Sequence, residues 1–276
     1  DFSVKYDWAF AKNVKSIVKG ELFFHEWAPM TLIAQTLWGS AFCKVFGFSY
    51  TVLRISTLVL GGIGIIYMYK VMRALGSTLF YSLLAALLLA YNPFYLQNAF
   101  SYMTEVPFLS LLIIALNHSI CYLRSPRKRS MVWLVVFCIL AVMIRQIGIL
   151  LPLAFVVAIL FESIRTRSWN LLLPGLTPLV CAVLSLAAYT YWREWAIGNL
   201  PDTYGRSSVL IDNIKNGELR KIIKIGHSYW ALWGFFTLPF LVLLIPSIFI
   251  KKHSWIRLFS GMVGCVFFLV YMERSY

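Results

Sequence analysis

The chain has 276 residues, 60% of them hydrophobic, 17% aromatic and only 13% charged. A soluble domain carries about 25% charged residues, so this composition excludes a water-soluble globule and makes lipid part of the solvent. The net charge of +14 does not read as a nucleic-acid footprint, because the basic residues fall in short clusters between apolar runs, as membrane orientation signals do.

Residues 1–50 are the one long N-terminal stretch that is not simply apolar, and they carry Asp1, Asp7, Glu21, His25 and Glu26. Within it Trp8, Ala11, Val14, Ile17 and Val18 recur at helical spacing, with Lys12, Lys15 and Lys19 between them and Gly20 behind. That pattern predicts a short amphipathic helix with a basic face, lying in the headgroup region. Pro29–Phe48 is a second candidate surface helix, apolar but interrupted by Gly39, Lys44 and Gly47. A true span is the competing reading for it.

A spanning helix needs about 20 apolar residues. Runs of that kind lie near Thr51–Tyr69, Ser77–Phe94, Val106–Leu123, Met131–Ile144, Ile147–Phe161, Leu171–Trp192, Tyr229–Ile250 and Trp255–Met272. The expected fold is therefore an all-α, polytopic transmembrane bundle of about eight spans. Residues 1–50 form its external first loop, and residues 51–276 form the membrane region, with a long external loop at 193–228. The fourth and fifth runs are short. Joined into one helix they would hold Arg145 in mid-membrane, where a charge is expensive, so a turn is expected at Arg145-Gln146.

The charges agree with this count. Lys70 and Arg73, then Arg124, Arg127, Lys128 and Arg129, then Arg165 and Arg167, then Lys251, Lys252 and Arg257 fall in alternate connections. Those connections hold a single acid, Glu162, and read as cytoplasmic by the positive-inside rule. The other ten acids lie toward the opposite face. Cys43, Cys121, Cys138, Cys181 and Cys265 are an odd, unpaired set, mostly inside apolar runs, and read as small buried groups. The chain starts at Asp1 and ends within four residues of an apolar run. A piece of a larger membrane domain is expected, with a spanning helix before Asp1.

Two acids sit at membrane boundaries among apolar neighbours: Asp7 in Tyr6-Asp7-Trp8-Ala9-Phe10, and Glu105 in Met103-Thr104-Glu105-Val106-Pro107. Low dielectric around a carboxyl favours its neutral form and suits a general base. Glu105 also suits the positive end of a helix that starts before Pro107. Asp202, Asp212, Glu218 and Glu21 read as solvated polar residues. His118 lies in mid-span and reads as a packed, hydrogen-bonded histidine.

Asp7-Trp8-Ala9-Phe10-Ala11, Gly20-Glu21-Leu22, Met30-Thr31-Leu32, Leu37-Trp38-Gly39, Phe46-Gly47-Phe48-Ser49 and Leu53-Arg54 follow one another in this order. Together they resemble the first external loop of bacterial family-39-type membrane glycosyltransferases, relatives of protein O-mannosyltransferases and of the lipid A aminoarabinose transferase. Asn92-Pro93 followed by Met103-Thr104-Glu105-Val106-Pro107-Phe108 resembles their second external loop. The resemblance implies a C-type glycosyltransferase of the bacterial inner membrane. Such an enzyme moves a sugar from a polyprenyl-phosphate carrier to a lipid, glycan or protein acceptor on the external side, with inversion.

By the same resemblance Asp7 is the base on the acceptor hydroxyl, and Glu105 orients the acceptor or assists. Many relatives have an acidic pair where this chain has Tyr6-Asp7, so Asp1 is a substitute candidate. The donor phosphate calls for cations, and Arg145, Arg193 and Arg54 are the candidates, with Arg206 and Lys215 behind them. His25, Glu26 and His227 make a weak set for a divalent metal, since adjacent ligands chelate poorly. Two other classes stay open. A lipid-linked sugar flippase would show ionisable residues deep in its spans. An external oligosaccharide polymerase or ligase would use the loop at 193–228.

Overall fold

The structure, a computed structural model, describes residues 7–21, 31–167 and 169–197. The chain divides into two compact units, Asp1–Pro201 and Asp202–Tyr276, and every described residue belongs to the first. In order the helices are α1 (Asp7–Val18), α2 (Ile33–Phe46), α3 (Tyr50–Ala74), α4 (Leu79–Ala90), α5 (Pro93–Ala99), α6 (Glu105–Arg124), α7 (Lys128–Val142), a 3-10 turn (Gln146–Ile149), α8 (Leu150–Thr166) and α9 (Leu172–Ile197). No strand occurs among the described residues.

Four of these helices are long and apolar enough to cross a membrane: Tyr50–Ala74, Glu105–Arg124, Gln146–Thr166 and Leu172–Arg193. A fifth span exists only if α4 and α5 are taken together, and that pair is bent by 59°. The expected eight spans are thus four or five among the described residues. The runs at 229–250 and 255–272 lie outside them. The bend in the expected Ser77–Phe94 span has a local cause. Asn92 Oδ1 accepts from the backbone N–H of Phe94 and of Tyr95, at 3.0 and 3.1 Å, so it starts a new helix with Pro93 at its first position. The expected span Met131–Ile144 is the 15-residue α7. At 1.5 Å per residue it is about 22 Å long, short of the ~30 Å hydrocarbon core. The break expected at Arg145 is present, between α7 and the 3-10 turn.

The bundle is built on α3 and α6, which run parallel. Gly61 lies against Val106, Gly64 against Ser110, and the Tyr67 ring 6.1 Å from that of His118. A Cβ on Gly64 would stand 2.9 Å from the Ser110 Cβ, so a side chain there would force the helices apart. Tyr95 of α5 closes this seam by donating its hydroxyl to the Gly61 carbonyl at 2.8 Å. α7 returns antiparallel to α6, burying Leu134 and Cys138 against Ala115 and Tyr122. On α4 the side chains of Leu79, Phe80, Tyr81, Leu83 and Leu87 are exposed, an apolar surface that suits lipid rather than water.

The first-loop helices pack onto the starts of α3 and α6. In α1 the residues Asp7, Phe10, Ala11 and Val14 are buried at i, i+3, i+4 and i+7, while Lys12, Lys15 and Lys19 are exposed. Trp8, expected on the apolar face, lies instead on the basic one, with the Lys12 ammonium 4.8 Å over its ring. α2 has 14 residues, fewer than a span needs, which counts against the competing reading of Pro29–Phe48 as a true span for its described part. Its N-terminus has no side-chain cap. The Thr31 hydroxyl donates to the Val142 carbonyl at 2.7 Å, and the N–H groups of Leu32 and Ala34 donate to Ile144 and Met143 at 3.3 and 3.2 Å. The unmet donors of one helix start thereby satisfy the unmet acceptors of another helix end.

Candidate active site

The acids singled out in the sequence meet arginines at the end of the bundle where α3 and α6 begin and α7 finishes. Asp7 opens α1 and has no solvent exposure. Its Oδ1 accepts the Tyr102 backbone N–H at 2.9 Å, and its Oδ2 accepts from Arg54 Nε, one turn into α3, at 3.3 Å. A buried carboxylate must be paired to persist in the fold, and these contacts supply that pairing.

Glu105 opens α6 and pairs with Arg145. Arg145 Nη2 donates to Glu105 Oε1 at 2.7 Å and Nε donates to Thr104 Oγ1 at 2.8 Å, with the guanidinium 5.9 Å over the Phe108 ring. Thr104 therefore spends its hydroxyl on Arg145 and makes no cap bond to α6. Glu105 Oε2 is buried with no hydrogen-bond partner among the described residues, while the side chain as a whole is 38% exposed. Arg145 is aimed by Gly148 in the 3-10 turn, where a Cβ would lie 2.8 Å from the Val142 nitrogen and 2.9 Å from the Ala141 carbonyl carbon. Only glycine lets this turn close against the end of α7.

The two pairs are joined through one short segment, Tyr102–Glu105. Three residues reach at most about 10 Å even when extended. Gln35 of α2 clamps that segment from below. Its Nε2 donates to the carbonyls of Tyr102 and Met103 at 3.2 and 3.3 Å, and the Tyr102 hydroxyl returns a bond to the Gln35 carbonyl at 2.9 Å. Gly39, one turn on, leaves the slot that the Tyr102 ring fills. Burial pushes the Tyr102 phenol well above its usual range, so it stays a donor. Burial likewise pushes the neighbouring Cys43 thiol up, which keeps it an inert packing group.

Of the sequence candidates, Asp7, Arg54, Glu105 and Arg145 are brought together at one end. Arg193 lies in the last turns of α9, and among the described residues no hydrogen bond or ion pair joins it to either acid. Asp1, His25, Glu26, Arg206, Lys215 and His227 lie outside the described residues. Among the described residues no three His, Cys, Asp or Glu side chains gather in a metal-binding group. His118 is packed as expected, but no hydrogen bond holds it among the described residues. Its ring stacks 5.9 Å from Phe137 and 6.4 Å from Trp133. Sequence reasoning missed Gln35, Tyr102 and Gly148. They carry no charge, and their roles come from contacts made far along the chain.

Among the described residues the chain is thus an all-helical bundle with acid–arginine pairs gathered at one end. A model of the dolichyl-phosphate-mannose-protein mannosyltransferase family matches residues 33–192, and the chain belongs to that family. Membership makes it an integral membrane glycosyltransferase of the C type, one that draws on a lipid-linked sugar donor. The matched range contains Arg54, Tyr102, Glu105 and Arg145, whereas Asp7 precedes it. No curated protein matches the chain, and no solved structure does.

Proposed function

We propose that this glycosyltransferase moves a sugar from a polyprenyl-phosphate carrier to an acceptor hydroxyl at the periplasmic face of a bacterial inner membrane, with inversion. Asp7 takes the acceptor proton, the acceptor oxygen attacks the anomeric carbon, and the carrier phosphate leaves with the bonding electrons. The observation that carries this reading is the convergence of Asp7 and Glu105 on the single segment Tyr102–Glu105, each acid held by its own arginine. The Arg54 contact, at 3.3 Å longer than the bond from Tyr102, yields to the incoming hydroxyl. Arg145 uses Nε and Nη2 within the protein and turns its remaining terminal nitrogen to the donor phosphate. Arg193 is a second phosphate ligand at the same end.

One observation favours a second assignment of the base. Glu105 is partly exposed and its Oε2 lacks a partner among the described residues, whereas Asp7 is fully covered. In that reading Glu105 takes the proton and Asp7 fixes Arg54 and Tyr102. Sugar transfer from a polyprenyl-phosphate donor, assayed in membranes, separates the two. Loss of a general base costs about 10²–10⁴-fold. The Asp7 assignment predicts that loss for Asp7→Asn and a smaller one for Glu105→Gln, with melting temperatures showing both variants folded. The reverse order moves the base to Glu105, and undiminished transfer by Asp7→Asn removes Asp7 from the mechanism.

A further inference from the structure

A cavity with both polar and apolar walls lies at the other end of the bundle from the acid–arginine pairs. It has a volume of about 380 Å³ and opens between α3, α6 and α7. His118 lies 13 residues along α6 from Glu105, about 20 Å at 1.5 Å per residue. That is most of the ~30 Å hydrocarbon thickness, so the cavity sits near the opposite headgroup layer.

Its lining divides by chemistry. Asn117, His118, Arg129 and Ser130 offer an amide, an imidazole, a guanidinium and a hydroxyl. Tyr67, Trp133 and Phe137 supply flat apolar walls. Arg129 makes no ion pair among the described residues, and Lys70, beside the cavity, rests its ammonium 4.3 Å over the Tyr67 ring. Arg129 and Ser130 lie in the first turn of α7, whose cap residue Arg127 makes no side-chain cap bond. The positive end of the α7 dipole therefore lies in the same region as the cations. Arg124, Arg127 and Lys128 lie next to it in the chain, between the end of α6 and the start of α7, and no acid is among the lining residues. The cavity thus presents cations and hydrogen-bond donors to an anion, and apolar walls to whatever the anion is attached to.

We infer that this cavity binds the phosphodiester headgroup of an anionic phospholipid from the leaflet opposite the acid–arginine site. Arg129 and Lys70 meet the phosphate. Asn117, His118 and Ser130 donate to its oxygens, and Tyr67, Trp133 and Phe137 pack on the glycerol and upper acyl carbons. Basic pockets between membrane helices recognise headgroups in this way.

The test is the melting temperature of the purified full chain in neutral detergent, titrated separately with phosphatidylglycerol, phosphatidylcholine and inorganic phosphate. Phosphatidylglycerol should raise it with saturation, and the other two should not. One cation near an anionic headgroup is worth about fivefold in affinity. Arg129→Gln should therefore raise the half-saturating phosphatidylglycerol concentration about fivefold, and Arg129→Gln with Lys70→Gln roughly 25-fold. His118→Gln should weaken it as well. Arg165→Gln, which removes an exposed cation paired with Glu162 instead, should leave it unchanged. Equal half-saturation in the Arg129 and Arg165 variants overturns the proposal, as does equal stabilisation by phosphatidylcholine. Equal stabilisation by inorganic phosphate alone overturns the lipid assignment.

Discussion

Where α3 and α6 begin, arginines are tied to carboxylates inside the fold: Arg54 to the fully buried Asp7, and Arg145 to Glu105. At the other end Lys70, Arg73, Arg124, Arg127, Lys128 and Arg129 are exposed, and the acid there, Glu162, meets Arg165 near the surface. The same residue types thus serve two physical purposes. Charges withdrawn from water need partners with fixed geometry, so the first end is rigidly specified. Charges left in water need none, and act by their number and sidedness.

The contrast is broken most severely at Arg54. Arg54→Ala takes the guanidinium away from the buried Asp7 carboxylate, and removing one partner of a buried ion pair costs about 3–5 kcal/mol. Thermal or denaturant melting should show that loss. A small shift would mean that Asp7 is solvated and that the site lacks the buried pair. Next comes Gly148→Ala. The added methyl meets backbone atoms of Ala141 and Val142 that cannot swing aside. Overpacking of this kind costs about 1–3 kcal/mol. The same substitution should draw Arg145 away from Glu105 and reduce transfer along with stability. Unchanged melting would show that the 3-10 turn does not close on α7. At the bottom of the series stands Arg165→Ala, which breaks the surface pair and should leave melting unchanged.

The membrane character and the positions of most helices up to residue 197 were open to sequence reading, because apolar runs of fixed length and basic clusters in alternate connections are local signals. The turn at Arg145 was legible for the same reason: a charge inside an apolar run has to reach a surface. Length alone flagged α7 as short. The bend at Asn92-Pro93 was hidden, since hydropathy continues through Tyr91 and Phe94 and the cap bonds from Asn92 leave no trace in it. Trp8 was misplaced because it counts as apolar in a pattern, while its ring serves Lys12. Asp7 was singled out by its neighbours. Its partners Arg54 and Tyr102 lie 47 and 95 residues away, and no spacing rule reaches that far. Several of the short motifs that carried the family resemblance have plain structural reasons. Gly47 takes a left-handed φ of 82° to end α2, and Ser49 caps α3 through the N–H groups of Thr51 and Val52. Thr31 ties α2 to the end of α7, and Gly39 makes room for Tyr102.

The proposed function puts transfer at the outward end of the bundle, and sidedness is the property to measure. Phe100 is exposed beside the acid–arginine pairs, and Lys128 is exposed at the basic end. Single cysteines at these positions, in a chain whose five native cysteines are replaced by alanine, can be probed in intact cells with a membrane-impermeant maleimide. Phe100→Cys should label from outside and Lys128→Cys only after the membrane is opened. Labelling of Lys128→Cys from outside, with Phe100→Cys protected, would put Glu105 in the cytosol and contradict transfer at the external face.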